Sequence, residues 1–241
     1  KGWDLFWWGC LKQPGITRLA CANFLIYSIR ATFISWFAFY ILSGGRLSAG
    51  VAASLLSAFE VGGLFGSLAS GLVSDGRMAR QPGGPIVGIR VQTSLMAVCC
   101  ILLPAVSSLA LLPASAGPGT YLAVLFFAGF GLYVAQALTA LCGLELVPRR
   151  AVGISQGFLG MAAYVGAAWA GLPLGMLIQG RFGWNAWRAF LLFGCLGVAI
   201  ALWPLRGTLS YQQVKAAARG EDIAVQPLKA SEWPRARRLA R

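Results

Sequence analysis

The sequence predicts an all-α membrane protein with six transmembrane helices. Three observations carry this: 58% of the 241 residues are hydrophobic, only 11% are charged, and the apolar residues fall into six runs near or above the ~20 residues that cross a bilayer. A soluble domain carries about 25% charged residues, so the bilayer is the solvent this composition fits. The sequence opens at Lys1 rather than at methionine. The expectation is therefore a fragment or a processed chain, without a signal peptide at its start.

Residues 1–19 read as an amphipathic interfacial segment or linker. KGWDLFWWGCLKQPGITR is Trp-rich and basic, and Pro14-Gly15 is expected to break it before the first span. Spans follow at 20–42, 48–74, 86–111, 119–146, 151–180 and 187–205, so that 20–206 form one six-helix unit. Pro104 and Pro173 fall inside the third and fifth spans, where proline kinks or breaks a helix. Small residues recur in GGLFGSLASG (62–71) and GAAWAGLPLG (166–175), the spacing that lets transmembrane backbones approach closely. Residues 207–241 read as a basic, flexible tail with no helix-long apolar period.

The net charge of +13 would suggest nucleic acid in a soluble protein. Here Arg77, Arg80, Arg90, Arg149, Arg150 and the basic tail all fall on one side if every span crosses. Positive-inside topology explains them, makes that side cytoplasmic and puts both chain ends there. The sequence contains no histidine and no phosphate-cradling Gly-rich loop. No nucleophile–base pair, metal cluster or cofactor motif is read. The six cysteines have no C-x-x-C spacing and sit mostly in apolar context, as buried free thiols do.

Four features do not belong in lipid. In FLIYSIRATFISWF (24–37), Tyr27 and Arg30 share one helical face at i,i+3, and Arg30 lies roughly 15 Å along the axis from the basic end. An arginine that deep costs about 2.5 kcal/mol or more facing lipid. It therefore faces either a cavity, where its guanidinium fork suits an anion, or a carboxylate. Glu60, mid-span in SAFEVGGLFG, is the carboxylate available to it, or a substrate or proton group in its own right. Tyr133 and Tyr164 lie far from the interfaces where tyrosine usually sits, and each needs a hydrogen-bond partner. They either join Tyr27 around a bound oxyanion or tie helices together. In GLVSDGRMAR (71–80), Asp75, Arg77 and Arg80 are either plain helix-end charges or a gating latch.

These motifs resemble a known family. GLVSDGRMAR is similar to the signature loop between helices eight and nine of the major facilitator superfamily. NFLIYSIRATFISW (23–36), SAFEVGGLFGSLASGLVSD (57–75), LELVPRRAVGISQGFLGMAAYVGAAWAG (144–171) and FGWNAWRAF (182–190) resemble, in order, helices seven, eight and ten to twelve of its organophosphate:phosphate antiporters. EVGGLFGS and AGLP look like that family's hexose-phosphate branch, which includes a glucose-6-phosphate translocator of the endoplasmic reticulum and a bacterial sensor. The resemblance implies the second half of a twelve-helix bundle that exchanges a sugar phosphate for inorganic phosphate, with no cofactor. Arg30 matches one of two phosphate-gripping arginines, and Tyr27, Tyr133 and Tyr164 match cavity tyrosines. The partners implied are an organophosphate, inorganic phosphate, the bilayer and an N-terminal six-helix half, from the same gene or another chain. Two departures stand out: Ala31-Thr32 follow the arginine where the family has Tyr-Gly, and Ser35 precedes the tryptophan where it has an acid. A sugar-phosphate sensor and a proton-coupled carrier built on Glu60 remain alternatives. The host membrane is the endoplasmic reticulum in a eukaryote and the plasma membrane in a bacterium.

Overall fold

A computed structural model of the chain describes residues 13–43, 48–112 and 116–219. The elements are α1 (Pro14–Ser43), α2 (Ala49–Arg80), α3 (Ile86–Ala97), a π-helical turn (Val98–Leu102), α4 (Leu103–Leu111), α5 (Pro118–Glu145), a 3-10 turn (Arg149–Ala151), α6 (Val152–Trp169), α7 (Leu172–Gln179), α8 (Trp184–Leu202), a second 3-10 turn (Trp203–Leu205) and α9 (Tyr211–Ala218). Six units are long and apolar enough to cross a membrane: α1, α2, α3–α4, α5, α6–α7 and α8. There is no strand among the described residues.

Two expectations are corrected. Pro14 does not break the chain. It opens α1, where its missing N–H is one that a first turn leaves unpaired anyway, so residues 14–19 belong to the first helix; residues 1–12 lie outside the described part. The tail is not featureless from 207 onward, because Ser210 and Gln213 form a capping box at the start of α9. Gln213 is 3% exposed, its Oε1 also accepts from Ile86 N at 3.1 Å, and its Nε2 donates to the Gly84 carbonyl at 2.7 Å. Gly88 N donates to Thr208 O at 2.9 Å, so this segment is clipped to the α2–α3 turn; residues 220–241 lie outside the described part. The two prolines act by different routes. Before Pro104 the helix widens by one π turn, in which Leu103 N–H reaches back to Val98 O. At Pro173 the helix stops and restarts at Ala170–Gly171.

The restart leaves carbonyls without helical partners, which in lipid costs several kcal/mol each. Trp36 of α1 donates its indole N–H to Ala170 O at 2.7 Å. Other polar side chains fix α1 on α6 in the same way: Ser28 Oγ donates to Gly166 O at 2.7 Å, and Asn23 Nδ2 to Leu159 O at 3.0 Å.

α2 and α5 lie in direct backbone contact. A Cβ on Gly62 would fall on the Phe126 carbonyl oxygen, one on Gly66 on that of Phe130, and one on Gly129 on that of Phe59. The backbones themselves touch, as small-x-x-x-small packing permits. Away from the basic end an aromatic group closes the bundle: Phe33 stacks on Phe59 with ring centroids 4.9 Å apart, and Tyr40 on the fully buried Trp187 at 4.8 Å. Leu68, Leu72, Phe193 and Ile200 are more than 60% exposed, a large apolar outer surface of the kind that meets lipid or another protein.

Gly129→Ala is expected to force α2 and α5 apart and lower stability by about 1–3 kcal/mol. Gly71→Ala, where nothing lies within 4 Å of the new methyl, is expected to be neutral. Thermal unfolding in detergent compares the two.

Candidate functional site

Arg30 sits at the middle of α1 and projects between α2 and α5. Its Nη2 lies 3.7 Å from Glu60 Oε2, and its guanidinium carbon lies 4.7 Å from the centroid of the Tyr133 ring. Tyr133 in turn donates its hydroxyl to Glu60 Oε2. The three side chains come from three helices and converge because of what α2 lacks. Gly63 follows Glu60 by three residues on the same face, and a Cβ there would press on the Tyr133 ring at 2.6 Å. The bare backbone at Gly63 gives the ring its place beside Glu60, under the guanidinium. The cluster is open on one side: Arg30 is 29% and Glu60 43% exposed at the side chain. Arg30 Nε is buried with no acceptor among the described residues.

Tyr27, one turn toward the basic end, accepts a hydrogen bond from Gln136 Nε2 at 3.2 Å. Its own proton remains available, because a phenol both donates and accepts. Tyr27 and Tyr133 also border a cleft of about 210 Å³, whose polar walls are Asn23, Ser67, Gln136 and Gln156. The cleft lies on the basic-end side of Arg30, since Asn23 precedes it by two helical turns. Two other hollows, of about 180 and 450 Å³, meet around Cys100; the side chains lining them are largely apolar and none is charged. They offer no cation to hold an anion.

The structure therefore brings Arg30, Tyr27, Glu60 and Tyr133 together. It leaves Tyr164 apart. That residue is 76% exposed, one turn beyond Gly160 at the cleft's edge, and makes no contact with the cluster. Gln136 and Gln156 escape sequence reading, because a lone glutamine in an apolar span has no motif to mark it.

At the basic end, Asp75 lies 3.7 Å from Arg90 Nη1. Arg90 Nε donates to both Glu145 carboxylate oxygens at 2.9 and 3.1 Å, and Nη1 to Ser74 Oγ at 3.0 Å. Arg77 turns to Gln92 Oε1 at 3.1 Å and to the sulfur of Met96, while Arg80 is exposed. Among the described residues Asp75 alone of the three signature-loop residues is ion-paired, to Arg90 of α3, which also pairs with Glu145 of α5. Arg90 was legible only as a positive-inside charge, and Glu145 lies 55 residues away from it in sequence.

No family model matches the chain. The chain is 33% identical over 217 residues to a probable hexose phosphate transport protein of Chlamydia trachomatis, covering 85% of this chain and 42% of that protein. It is 30% identical over 200 residues to the hexose-6-phosphate:phosphate antiporter of Escherichia coli K12, covering 82% of this chain and 40% of that one. The membrane sensor protein UhpC of the same organism is 29% identical over 194 residues, covering 79% and 40%. The chain thus spans about two fifths of the length of the curated relatives it matches. These are transport and sensor proteins rather than enzymes. With six apolar spans, the chain is an integral, multi-pass membrane protein, and it belongs to the organophosphate:phosphate antiporter family.

Proposed function

We propose that this chain is the C-terminal half of a transporter that exchanges a sugar phosphate for inorganic phosphate by alternating access, with Arg30 as a phosphate-gripping residue. The observation that carries the proposal is the Arg30–Glu60–Tyr133 cluster beside a polar cleft. A guanidinium in a bilayer interior needs a negative charge facing it. Glu60 supplies one while the site is empty, at 3.7 Å and off the fork of a bidentate pair. A phosphate dianion offers a better match to the planar fork and displaces the carboxylate. Tyr133 then loses its acceptor and turns its proton to the phosphate, and Tyr27 adds a second hydroxyl. Either ligand of an exchanger satisfies the same cation, so the loaded site rocks and the empty one, held by Glu60, rests.

Glu60 paired to Arg30 favours a counter-ion role over proton carriage. The sensor reading keeps support from the UhpC relative, since a sensor needs the same grip. The missing walls of the cavity, with a second arginine, come from the N-terminal half, in the same gene or a partner chain. The relatives named above are bacterial, which favours a plasma membrane with the basic side and both ends cytoplasmic. The Asp75–Arg90–Glu145 group is read as a latch at that side, with Asp75 as the releasable member.

The test is counterflow in proteoliposomes made with the full-length protein, loaded with inorganic phosphate and given labelled glucose-6-phosphate outside. Uptake that requires internal phosphate is expected. Arg30→Lys keeps the charge but loses the fork, and is expected to cut exchange by at least about tenfold, the loss of one charge-assisted hydrogen bond. Wild-type exchange by Arg30→Ala would refute the assignment, and tight binding without uptake would favour the sensor. Asp75→Asn removes an exposed pair worth less than about 1 kcal/mol. It is expected to change the exchange rate with melting temperature unmoved; an unmoved rate removes the latch.

A further inference from the structure

We infer that the groove between α2, α3–α4 and α5 is a binding site for one anionic phospholipid, with an acyl chain in the groove and the headgroup phosphate on Arg77. The two apolar hollows of about 180 and 450 Å³ share Cys100, Ile101 and Phe130. Together they run along α3–α4 from Thr93 to Ser108, about 22 Å of helix at ~1.5 Å per residue. That is more than half of the ~30 Å hydrocarbon core. The groove opens away from Arg30. Around α2, Ala69 and Val73 of its wall stand about 200° and 240° from Ser67 of the polar cleft, at about 100° per residue. Val73, Met96 and Phe127 on its walls are about half exposed, so it opens on the outer surface that meets lipid. Its walls are nearly all hydrocarbon and sulfur. The hydroxyls of Ser70 and Thr93 give their single protons to their own helices, to Ser67 O at 2.6 Å and Ile89 O at 2.9 Å. An acyl chain is the chemistry that fills such a groove within a bilayer.

The mouth at the basic end has the opposite character. Arg77 reaches over Met96 of the groove wall: its Nη1 donates to the Met96 sulfur and its Nη2 to Gln92 Oε1 at 3.1 Å. Both acceptors are neutral. Asp75 is turned to Arg90, and among the described residues no carboxylate is paired with Arg77 or Arg80. Gln92 Nε2 donates to Arg206 O at 2.9 Å, so a second basic residue, from a separate element, flanks the same glutamine. The Arg206 guanidinium lies 4.0 Å from the centroid of the exposed Trp203 ring. Tryptophan beside a cation marks the level where hydrocarbon meets water, which is where a headgroup sits. An arginine fork suits two oxygens of a phosphate. Cations without a carboxylate select a lipid of net negative charge, whereas a zwitterionic lipid brings an ammonium of its own. Groove and mouth thus match the two ends of one molecule.

The experiment is native mass spectrometry of the full-length protein in detergent, titrated with phosphatidylglycerol or with phosphatidylcholine of the same acyl chains. The wild type is expected to hold one phosphatidylglycerol at least about tenfold more tightly than phosphatidylcholine. Arg77→Gln is expected to cut that preference about tenfold, the loss of one charge-assisted hydrogen bond. Cys100→Phe fills the groove where the hollows meet and is expected to weaken both lipids about tenfold with Arg77 intact. Arg149→Gln removes an exposed basic-end arginine outside the groove and is expected to change neither. Thermal unfolding without lipid checks that each variant folds. Added phosphatidylglycerol is expected to raise the melting temperature of the wild type and of Arg149→Gln, but not of Arg77→Gln or Cys100→Phe. Equal binding of the two lipids by the wild type, or equal losses in Arg77→Gln and Arg149→Gln, overturns the site and leaves a diffuse attraction of the basic side for anionic lipid. Unchanged binding in Cys100→Phe overturns it as well, because the groove is then not where the chain lies.

Discussion

An arginine held in the middle of an apolar helix bundle sets the terms for everything near it. Lipid cannot face it at acceptable cost, and a buried cation without a partner destabilises a fold by several kcal/mol. The chain answers with one carboxylate, Glu60, from the neighbouring helix and one aromatic face, Tyr133, from a third. The answer is incomplete: Arg30 Nε has no acceptor among the described residues, and the Glu60 contact is long. A fully satisfied ion pair would be inert. Under the proposed function, a partly satisfied one would keep free energy in reserve for an oxyanion, and this would separate a binding arginine from a structural one. Arg90 shows the contrast within the same molecule, with two oxygens of Glu145 on its Nε and Ser74 on its Nη1.

Glu60 meets Tyr133 because α2 lies against α5 with nothing between their backbones. Gly62, Gly66 and Gly129 set that contact, and Gly63 makes room for the Tyr133 ring in the same turn. On the other flank α1 is fixed to α6 by side chains that bond backbone carbonyls, Asn23 to Leu159 and Ser28 to Gly166. The same device permits the break at Ala170–Gly171, where Trp36 takes up a freed carbonyl. The site is therefore registered from both sides, by close approach on one and by side-chain hydrogen bonds on the other.

The spans, their number and the juxtaposition of Arg30 with a mid-span carboxylate were legible, because hydropathy and misplaced charge are strong signals in a bilayer. Span ends were less so. Pro14 reads as a breaker until its place at a helix start is known, and the Ser210–Gln213 capping box is short enough to pass as tail. Tyr164 and Tyr133 look alike in sequence, both mid-span tyrosines, yet one is exposed on this chain and the other packs under the guanidinium. Helical phase between separate helices decides this, and no local pattern records it. The glutamines of the cleft and the Arg90–Glu145 pair were missed for the same reason, as their meaning lies in partners far away in sequence.

Under the proposed exchange, the central ion pair also fixes what the two ligands must share. Inorganic phosphate and a sugar phosphate differ in size, yet each would present the same dianion to Arg30, Tyr27 and Tyr133. The charge that must be neutralised before the site turns would then be the same for both, so neither ligand would be privileged in that step. Glu60, 3.7 Å from the guanidinium, would hold that charge between loads, and a single arginine would serve both directions of exchange.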